Sequence, residues 1–150
     1  MIIVDTREKA KAIELILKDF EEANEPYIRQ KLDVGDYQNT NRPWIVVDRK
    51  QNLLEVASNI GQDRIRFLNE IKRAEASGIH IVFLVEHGYG ITKFSDVQQW
   101  VNPRLKDSPM AISGERLYQK MLALQNGHDI EWRFCNKKET GSEIRKILEV

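Results

Sequence analysis

The sequence predicts an α/β fold in which helices cover both faces of a mixed central sheet. Short apolar segments of strand length alternate along the chain with longer segments whose apolar residues recur at helical spacing. The segment Ile79–Glu86 is almost entirely apolar, which is typical of a central strand covered on both faces. The 150 residues, 41% of them hydrophobic, are enough for one domain with a core and too few to predict two. We therefore expect a single domain over residues 1–150.

The first third of the chain predicts a strand, a helix and a hairpin. Residues 2–4 are apolar and predict the first strand, and the spacing of apolar residues over 5–23 predicts a helix. Residues 27–40 alternate between apolar and polar, and residues 44–48 are apolar up to an acid. Because turn-forming residues at 39–43 separate them, these two segments are predicted as an antiparallel hairpin.

Helices and strands alternate through the rest of the chain. The predicted helices are residues 53–76 with a bend near Gly61, 95–101 capped by Ser95, 113–126 opened by Ser113, and 139–150; the predicted strands are 79–86 and 130–134. No repeat or low-complexity segment interrupts this order. Strands alternating with helices predict one sheet packed between helical layers.

Composition excludes several classes of protein. The 23 basic and 23 acidic residues cancel, so a nucleic-acid partner would have to be met by a local patch. The single cysteine, Cys135, excludes an internal disulfide and a thiolate zinc site. No apolar run approaches the ~20 residues of a membrane span, and the charged N-terminus does not fit a signal peptide. We expect a soluble, cytoplasmic protein without membrane contact.

The end of the second hairpin strand carries candidate catalytic residues. Side chains alternate along a strand, so Asp48 and Lys50 point to one side and Arg49 to the other. The hairpin also brings Asp36 back towards Asp48. Two carboxylates beside an ammonium are what metal-dependent phosphodiester hydrolysis needs, because Mg²⁺ takes oxygen ligands and the ammonium stabilises charge on the phosphate. The alternative is a solvated strand end, which such triplets usually are.

The segments VDTRE (4–8), VGDY (34–37) and VVDRK (46–50) have the order and spacing of the XPF-type nuclease domain, whose pattern is VDxRE, GD and ERKxxxD. The chain resembles this family, a branch of the PD-(D/E)xK superfamily, over nearly its whole length. The resemblance implies a restriction-endonuclease-like sheet. Two departures stand out: Asp48 replaces the glutamate of ERK, and Leu54, with Glu55 beside it, occupies the position of the later acid.

The resemblance implies a metal-dependent DNA endonuclease that uses Mg²⁺ or Mn²⁺ and prefers branched, flapped or forked DNA. The chain most resembles the small stand-alone versions of this domain that phages and prophages carry. Two alternatives stay open: a catalytically silent copy that binds DNA or dimerises, and a resolvase or restriction-like nuclease on the same core. The resemblance also implies a homodimer formed through the C-terminal region, and leaves room for a protein partner that supplies specificity.

Most of the functional residues follow from the matched positions, whereas Arg64, Lys93 and Arg104 rest on their places in the predicted elements. The predicted catalytic residues are Asp36, Asp48, Lys50, Asp5 and Glu8, with Asp36 and Asp48 as metal ligands; the predicted substrate-binding residues are Arg7, Arg64, Lys93 and Arg104. For Asp5, Arg7 and Glu8 the alternative is helix capping. Lys93 and Arg104 flank a segment containing Trp100, and the alternative for them is ordinary surface.

Three further assignments rest on position in the predicted elements. Arg64 lies over Leu68 and Ile71 on its helix, so it is predicted to start the core-facing stripe and to meet an anion; the alternative is a stem that reaches past the helix end. Glu86 either lies near the cleft or begins a loop. Five apolar residues are predicted as core or dimer surface: Leu117, Met121, Leu124, Ile147 and Leu148.

Overall fold

The computed structural model describes residues 1–150. Its strands are β1 (Ile2–Val4), β2 (Tyr27–Arg29), β3 (Tyr37–Asn39), β4 (Arg42–Lys50), β5 (His80–Glu86) and β6 (Ile130–Cys135). Its α-helices are α1 (Glu14–Glu22), α2 (Leu53–Ile60), α3 (Arg64–Ala76), α4 (Gly114–Gly127) and α5 (Thr140–Leu148). Short 3₁₀ helices occupy Ala10–Ile13, Phe94–Gln99, Pro103–Lys106 and Lys137–Glu139. None of the helices has both the length and the apolar character needed to cross a membrane.

The six strands form one mixed sheet in the order β2-β1-β3-β4-β5-β6. Strand β3 runs antiparallel to both β1 and β4, whereas β4, β5 and β6 run parallel to one another. The predicted α/β class and mixed sheet are confirmed. Because parallel strands end at the same edge, the carboxyl ends of β4 and β5 lie side by side, with Lys50 opposite Val85. This edge positions the candidate site.

Helices cover both faces of the sheet, and a hydrophobic core fills the space beneath each layer. Ile81, Phe83 and Val85 of β5 point to the larger core, which α2, α3 and α4 cover. Val82 and Leu84 point to the other core, beneath α1 and α5. As predicted for a central strand, every β5 residue from Ile81 to Glu86 is buried. Burial on both faces explains why the strand is continuously apolar rather than alternating.

Helix α5 closes the second face by binding elements from the start of the chain. Arg145 donates from Nε to Asp19 Oδ1 of α1 at 2.7 Å, and Asn39 Nδ2 of β3 donates to the carbonyl of Leu148 at 2.9 Å. Asn39 is buried, so this bond satisfies a polar group that would otherwise cost free energy in the core. The first and last helices therefore pack as a pair.

Residues 27–40, predicted as one strand, form two strands and a loop. Residues 27–29 become the edge strand β2, which pairs with β1 in parallel, and residues 37–39 become β3. The hairpin itself is present, with Tyr37 opposite Val47. The prediction missed the loop at 30–36 because Leu32 and Val34, which made the alternation look continuous, are buried as loop residues beside the sheet.

Two helix boundaries also differ from the prediction, and the core alternative is decided for most of the apolar residues. The first α-helix begins at Glu14 rather than near Asp5, because residues 5–9 form turns and 10–13 a 3₁₀ helix. The helix expected from Ser95 is a 3₁₀ helix over Phe94–Gln99, and Lys93 holds the N-cap position. Of the five apolar residues predicted as core or dimer surface, all except Leu124 are buried, so the core alternative is correct for four.

Candidate active site

A cleft of about 260 Å³ opens at the carboxyl end of β4, and no hydrophobic side chain lines it. Its walls come from the loop after β1, the turn before β3, the end of β4 and the first halves of α2 and α3. The lining residues are Arg7, Glu8, Gly35, Asp36, Asp48, Arg49, Lys50, Gln51, Glu55 and Glu70. Folding does not require so many charged side chains in one cleft, so the cleft is the candidate active site.

Asp48 and Lys50 point into this cleft together, as strand alternation predicts. Lys50 Nζ lies 3.2 Å from Asp48 Oδ1 and 3.8 Å from Glu55 Oε2, and the rings of Phe67 and Phe83 lie 5.4 and 5.5 Å from the ammonium. Burial works to lower the pKa of Lys50, but the charges of Asp48 and Glu55 outweigh it and raise that pKa. Lys50 therefore stays cationic, which suits holding a phosphate and not accepting a proton.

Asp36 reaches the cleft from the turn before β3. Its Oδ2 accepts the backbone N–H of Arg49 at 2.8 Å, so the hairpin fixes the carboxylate beside β4. Gly35 permits this approach: its φ is +75°, and a Cβ there would lie 2.8 Å from Cγ2 of Val46. Burial raises the pKa of Asp36 well above its usual value, and the negative charges of Asp48 and Glu8 raise it further. The carboxylates that converge in this cleft are therefore not fully balanced by positive charge.

Glu70 is a third carboxylate in the cleft, and sequence reasoning missed it. Burial and the neighbouring Asp48 raise the pKa of Glu70 to about 8, and its buried Oε1 has no hydrogen-bond partner. A sequence signal was available: Phe67, Ile71 and Ala74 form the buried stripe of α3, and Glu70 falls within it. An acid inside an apolar stripe needs a partner from outside the helix.

Arg49, on the opposite side of β4, was also missed as a functional residue. Its guanidinium binds Glu8 through two bonds of 2.7 and 2.9 Å, and donates to Glu86 Oε1 at 2.6 Å. Thr140 of α5 donates to the other oxygen of Glu86 at 2.6 Å, and Tyr37 donates to Glu8 at 3.0 Å. Burial opposes the guanidinium charge, but these carboxylates raise the pKa of Arg49. Glu86 thus lies beside the cleft within a closed hydrogen-bond network.

Asp5 lies outside the cleft although it was predicted to be catalytic. It is fully buried, and its carboxylate accepts Arg7 Nε at 2.7 Å and the backbone N–H of Leu32 at 2.7 Å. Burial works to raise the pKa of Asp5, but its hydrogen bonds to Arg7 and Leu32 lower it. Asp5 therefore ties the 30–36 loop to β1, whereas Arg7 and Glu8 reach the cleft wall.

Arg64 does not meet the anionic partner predicted for it. It is the first residue of α3, ahead of the buried Phe67, Ile71 and Ala74, and it is exposed and lines a separate cavity between α3 and α4 with Lys120. The prediction took Leu68 as a core position, but it is only half-buried. Lys93 and Arg104 are exposed on the segment that follows β5, away from the cleft lining.

The carboxylates of the cleft fit a hard divalent cation held by few protein ligands. No three His, Cys, Asp or Glu side chains are grouped tightly enough to enclose an ion alone. Mg²⁺ keeps several waters in most sites and needs only one or two carboxylates. Asp36 and Asp48 could supply that pair, and burial together with the charges of Asp48 and Glu8 raises the pKa of Asp36.

Comparison with known proteins identifies the chain's relatives. A family model described as the ERCC4 domain matches residues 4–147. Among solved structures, XPF from Aeropyrum pernix matches with a TM-score of 0.66 and 22% sequence identity, covering 99% of this chain and 63% of that one. The chain thus spans less than two thirds of that structure. No curated protein sequence matches significantly.

Proposed function

Since the chain belongs to the ERCC4 domain family, we propose that it is a metal-dependent endodeoxyribonuclease that hydrolyses phosphodiester bonds at the charged cleft. The observation that carries the proposal is the convergence of Asp36, Asp48 and Lys50 at the end of β4. Two carboxylates crowd together beside one buried cation, and a divalent ion and a phosphate would complete the charge balance. A solvated strand end would not bury Asp48 and Lys50 to 7% exposure each.

Asp36 and Asp48 would hold Mg²⁺ or Mn²⁺. When bound, the ion supplies Lewis-acid polarisation of the phosphate and lowers the pKa of a bound water. Lys50 holds a non-bridging phosphate oxygen and stabilises the negative charge that grows on it. Glu70 has a buried oxygen without a partner on the same cleft, so once a bound cation favours its ionised form it would accept a hydrogen bond from the attacking water.

Arg49 and its carboxylate partners hold the wall of the cleft in place. The guanidinium clamps Glu8 and Glu86, and the backbone N–H of the same residue holds Asp36 at 2.8 Å. One residue therefore fixes both the strand ends and a metal-binding carboxylate. Catalysis depends on such fixation, because a displacement of ~1 Å can cost about a hundredfold in rate.

The substrate we propose is branched, flapped or forked DNA. The test uses purified protein with linear, flap, fork and four-way-junction DNA of one sequence, each incubated with Mg²⁺, Mn²⁺ or EDTA. We expect cleavage with either metal, none with EDTA, and faster cleavage of branched DNA. Asp48→Asn is the matched inactive control. If Asp48→Asn cleaves as the wild type does, the activity belongs to a contaminant or to another site, and the proposal fails.

We also propose a homodimer, through the surface between α3 and α4. Leu124 is half-buried there and lines a cavity with Leu68 and Ile60, so apolar surface remains for a second copy. Light scattering at micromolar protein should give twice the chain mass, and Leu124→Glu should give the monomer. A wild-type protein that scatters as a monomer would remove the dimer and leave the nuclease proposal intact.

A further inference from the structure

A second cleft lies beside the candidate active site and has a different chemistry. It has a volume of about 430 Å³, and Leu54, Ile91 and Trp100 form its apolar walls. Leu54 lines this cleft and its neighbour Glu55 lines the charged one, so the first turn of α2 separates the two. We call this second cavity the aromatic cleft. Its place next to the charged cleft means that one extended ligand can occupy both.

Tyr89 stands at the rim of the aromatic cleft in an unfavourable state. Its side chain is fully exposed, and its φ of +56° lies in the left-handed region that non-glycine residues rarely adopt. No side-chain hydrogen bond or ring contact of Tyr89 offsets this strain, and Gly88 and Gly90 flank it. Strained residues that contribute nothing to packing are concentrated at binding sites, because their conformation serves a ligand.

Hydrogen-bonding groups line the aromatic cleft, and basic side chains that do not line it lie further along the segment that forms one of its walls. Asn52 and Gln99 line the cavity, and each amide can both donate and accept. Residues 98–106 contain Arg104 and Lys106 and no acid, and both basic side chains are exposed. An aromatic face, amide groups and nearby cations together match a nucleotide, which presents a π-face, polar edges and a phosphate.

We propose that the aromatic cleft binds an unpaired nucleobase of the DNA, stacked on Tyr89, next to the strand that is cut. This inference rests on the proposed nuclease function and deepens it. A base inside a duplex is stacked between its neighbours and cannot enter, whereas a base at a flap or fork is free to do so. The cleft therefore selects DNA by the presence of an unpaired base, and its apolar walls accept any base.

The test compares binding of wild type, Tyr89→Phe and Tyr89→Ala without cleavage. Fluorescence anisotropy in EDTA measures the affinity for a blunt duplex and for the same duplex with a single-stranded flap. Tyr89→Ala should bind the flapped DNA about fivefold more weakly or worse, because one stacked base is lost. Its affinity for the blunt duplex should not change, and Tyr89→Phe should behave as wild type because it keeps the aromatic face.

Ile65→Ala is the matched control, since Ile65 is 77% exposed on α3 and does not line the aromatic cleft. As an independent readout, 2-aminopurine at the first unpaired position should lose fluorescence on wild type and Tyr89→Phe and keep it on Tyr89→Ala. Equal weakening on flapped and blunt DNA would overturn the inference, as would no weakening. The inference would also be overturned if Tyr89→Ala dissociated a dimer and left DNA binding unchanged. That result would mean that the aromatic cleft is a self-association surface.

Failure of the nuclease proposal gives a different pattern. Wild-type protein that binds flapped DNA through Tyr89 but cleaves none of the DNA panel with Mg²⁺ or Mn²⁺ would reject the nuclease and keep the base-binding cleft. Wild-type protein that cleaves DNA while Tyr89→Ala binds and cleaves flapped DNA equally well would do the reverse.

Discussion

Asp48 and Arg49 are adjacent in β4, and their side chains enter two regions with opposite chemistry. On the Arg49 side, the guanidinium bonds to Glu8 and Glu86, and Thr140 and Tyr37 satisfy further carboxylate oxygens. On the Asp48 side, four carboxylates share the cleft with the ammonium of Lys50: Asp36, Asp48, Glu55 and Glu70. The pKa values of Asp36 and Glu70 are strongly raised.

The difference between the two sides separates stability from chemistry. Buried charges that are fully paired hold elements together, whereas buried charges left short of partners are poised to bind what is missing. The two-residue period of a strand lets adjacent positions serve these two purposes without interference. Substitutions on the Asp48 side should therefore change activity, and substitutions on the Arg49 side should change stability.

The largest expected effect comes from substitutions that remove the cleft carboxylates and leave the Arg49 network intact. Asp36→Asn and Asp48→Asn should each lower the cleavage rate about a hundredfold or more, because each removes an oxygen that we propose binds the metal. Melting temperatures should stay near the wild-type value or rise, since fewer like charges then crowd the cleft. Cleavage assays with Mg²⁺ and thermal denaturation of the same samples check this. Inactive variants that were also largely unfolded would mean that the two sides are not independent.

The opposite substitution removes the stabilising side. Arg49→Met should lower the free energy of unfolding by about 3–5 kcal/mol, because it leaves Glu8 and Glu86 buried without their cation. Urea denaturation measures the change. The double variant Arg49→Met with Glu86→Gln should recover part of the loss by removing one orphaned charge. A single variant within ~1 kcal/mol of wild type would show that the network is only surface pairing.

The pH dependence of the free energy of unfolding tests the buried state of Glu70. Its folded pKa of about 8 is raised above the unfolded value of ~4.3, so the folded protein binds this proton more tightly. The associated stability is full below the unfolded pKa and is lost as pH rises through 8. Metal-free protein should therefore lose stability between pH 5 and pH 8.

Glu70→Gln should flatten that loss by at least about 1 kcal/mol over the same range. Urea denaturation in EDTA at several pH values measures it. Glu115→Gln, exposed in the first turn of α4, is the control. Wild type and Glu70→Gln with parallel profiles would contradict the buried, proton-binding state of Glu70.

The mildest change tests the geometry of the Asp48 side. Asp48→Glu keeps the charge and moves the carboxylate outwards by about one bond, and Mg²⁺ resists this because it demands near-ideal octahedral geometry. The cleavage rate or the Mg²⁺/Mn²⁺ preference should change several-fold, in either direction, because glutamate is the residue of the ERK pattern that this chain resembles. Identical rates with both metals would mean that Asp48 is not a ligand.

The sequence predicted those features that depend on short-range periodicity or on the family pattern. The α/β class, the buried β5, the β3–β4 hairpin and the shared direction of Asp48 and Lys50 all follow from alternation within one element. Family membership was also predicted correctly, from three short segments. Alternation within a strand and the family pattern do not depend on tertiary contacts, so both could be recognised in the sequence.

Features that depend on contacts between distant segments were missed. Arg64 and Glu70 lie on the same helix, but Arg64 is exposed at its first residue whereas Glu70, beside the buried Ile71, lines the charged cleft, and helical spacing alone does not predict this difference. The parallel pairing of β2 with β1 depends on the 30–36 loop, which Asp5 and Arg7 hold by hydrogen bonds that no local pattern reveals. For Arg49 the sequence predicted only the face of β4 on which its side chain lies. Its partners Glu8 and Glu86 could not be predicted, because they lie 41 positions earlier and 37 positions later in the chain.

The pairing of α5 with α1 has a consequence for the order in which the protein is made. Arg145 meets Asp19 across 126 positions, and Leu148 meets Asn39 across 109, so the second core stays open until α5 has left the ribosome. Contacts so far apart in sequence form late and slow folding. Thr140, at the start of α5, also completes the network around Glu86. A nascent chain therefore contains every residue that lines the charged cleft before α5 can complete the hydrogen-bond network beside it.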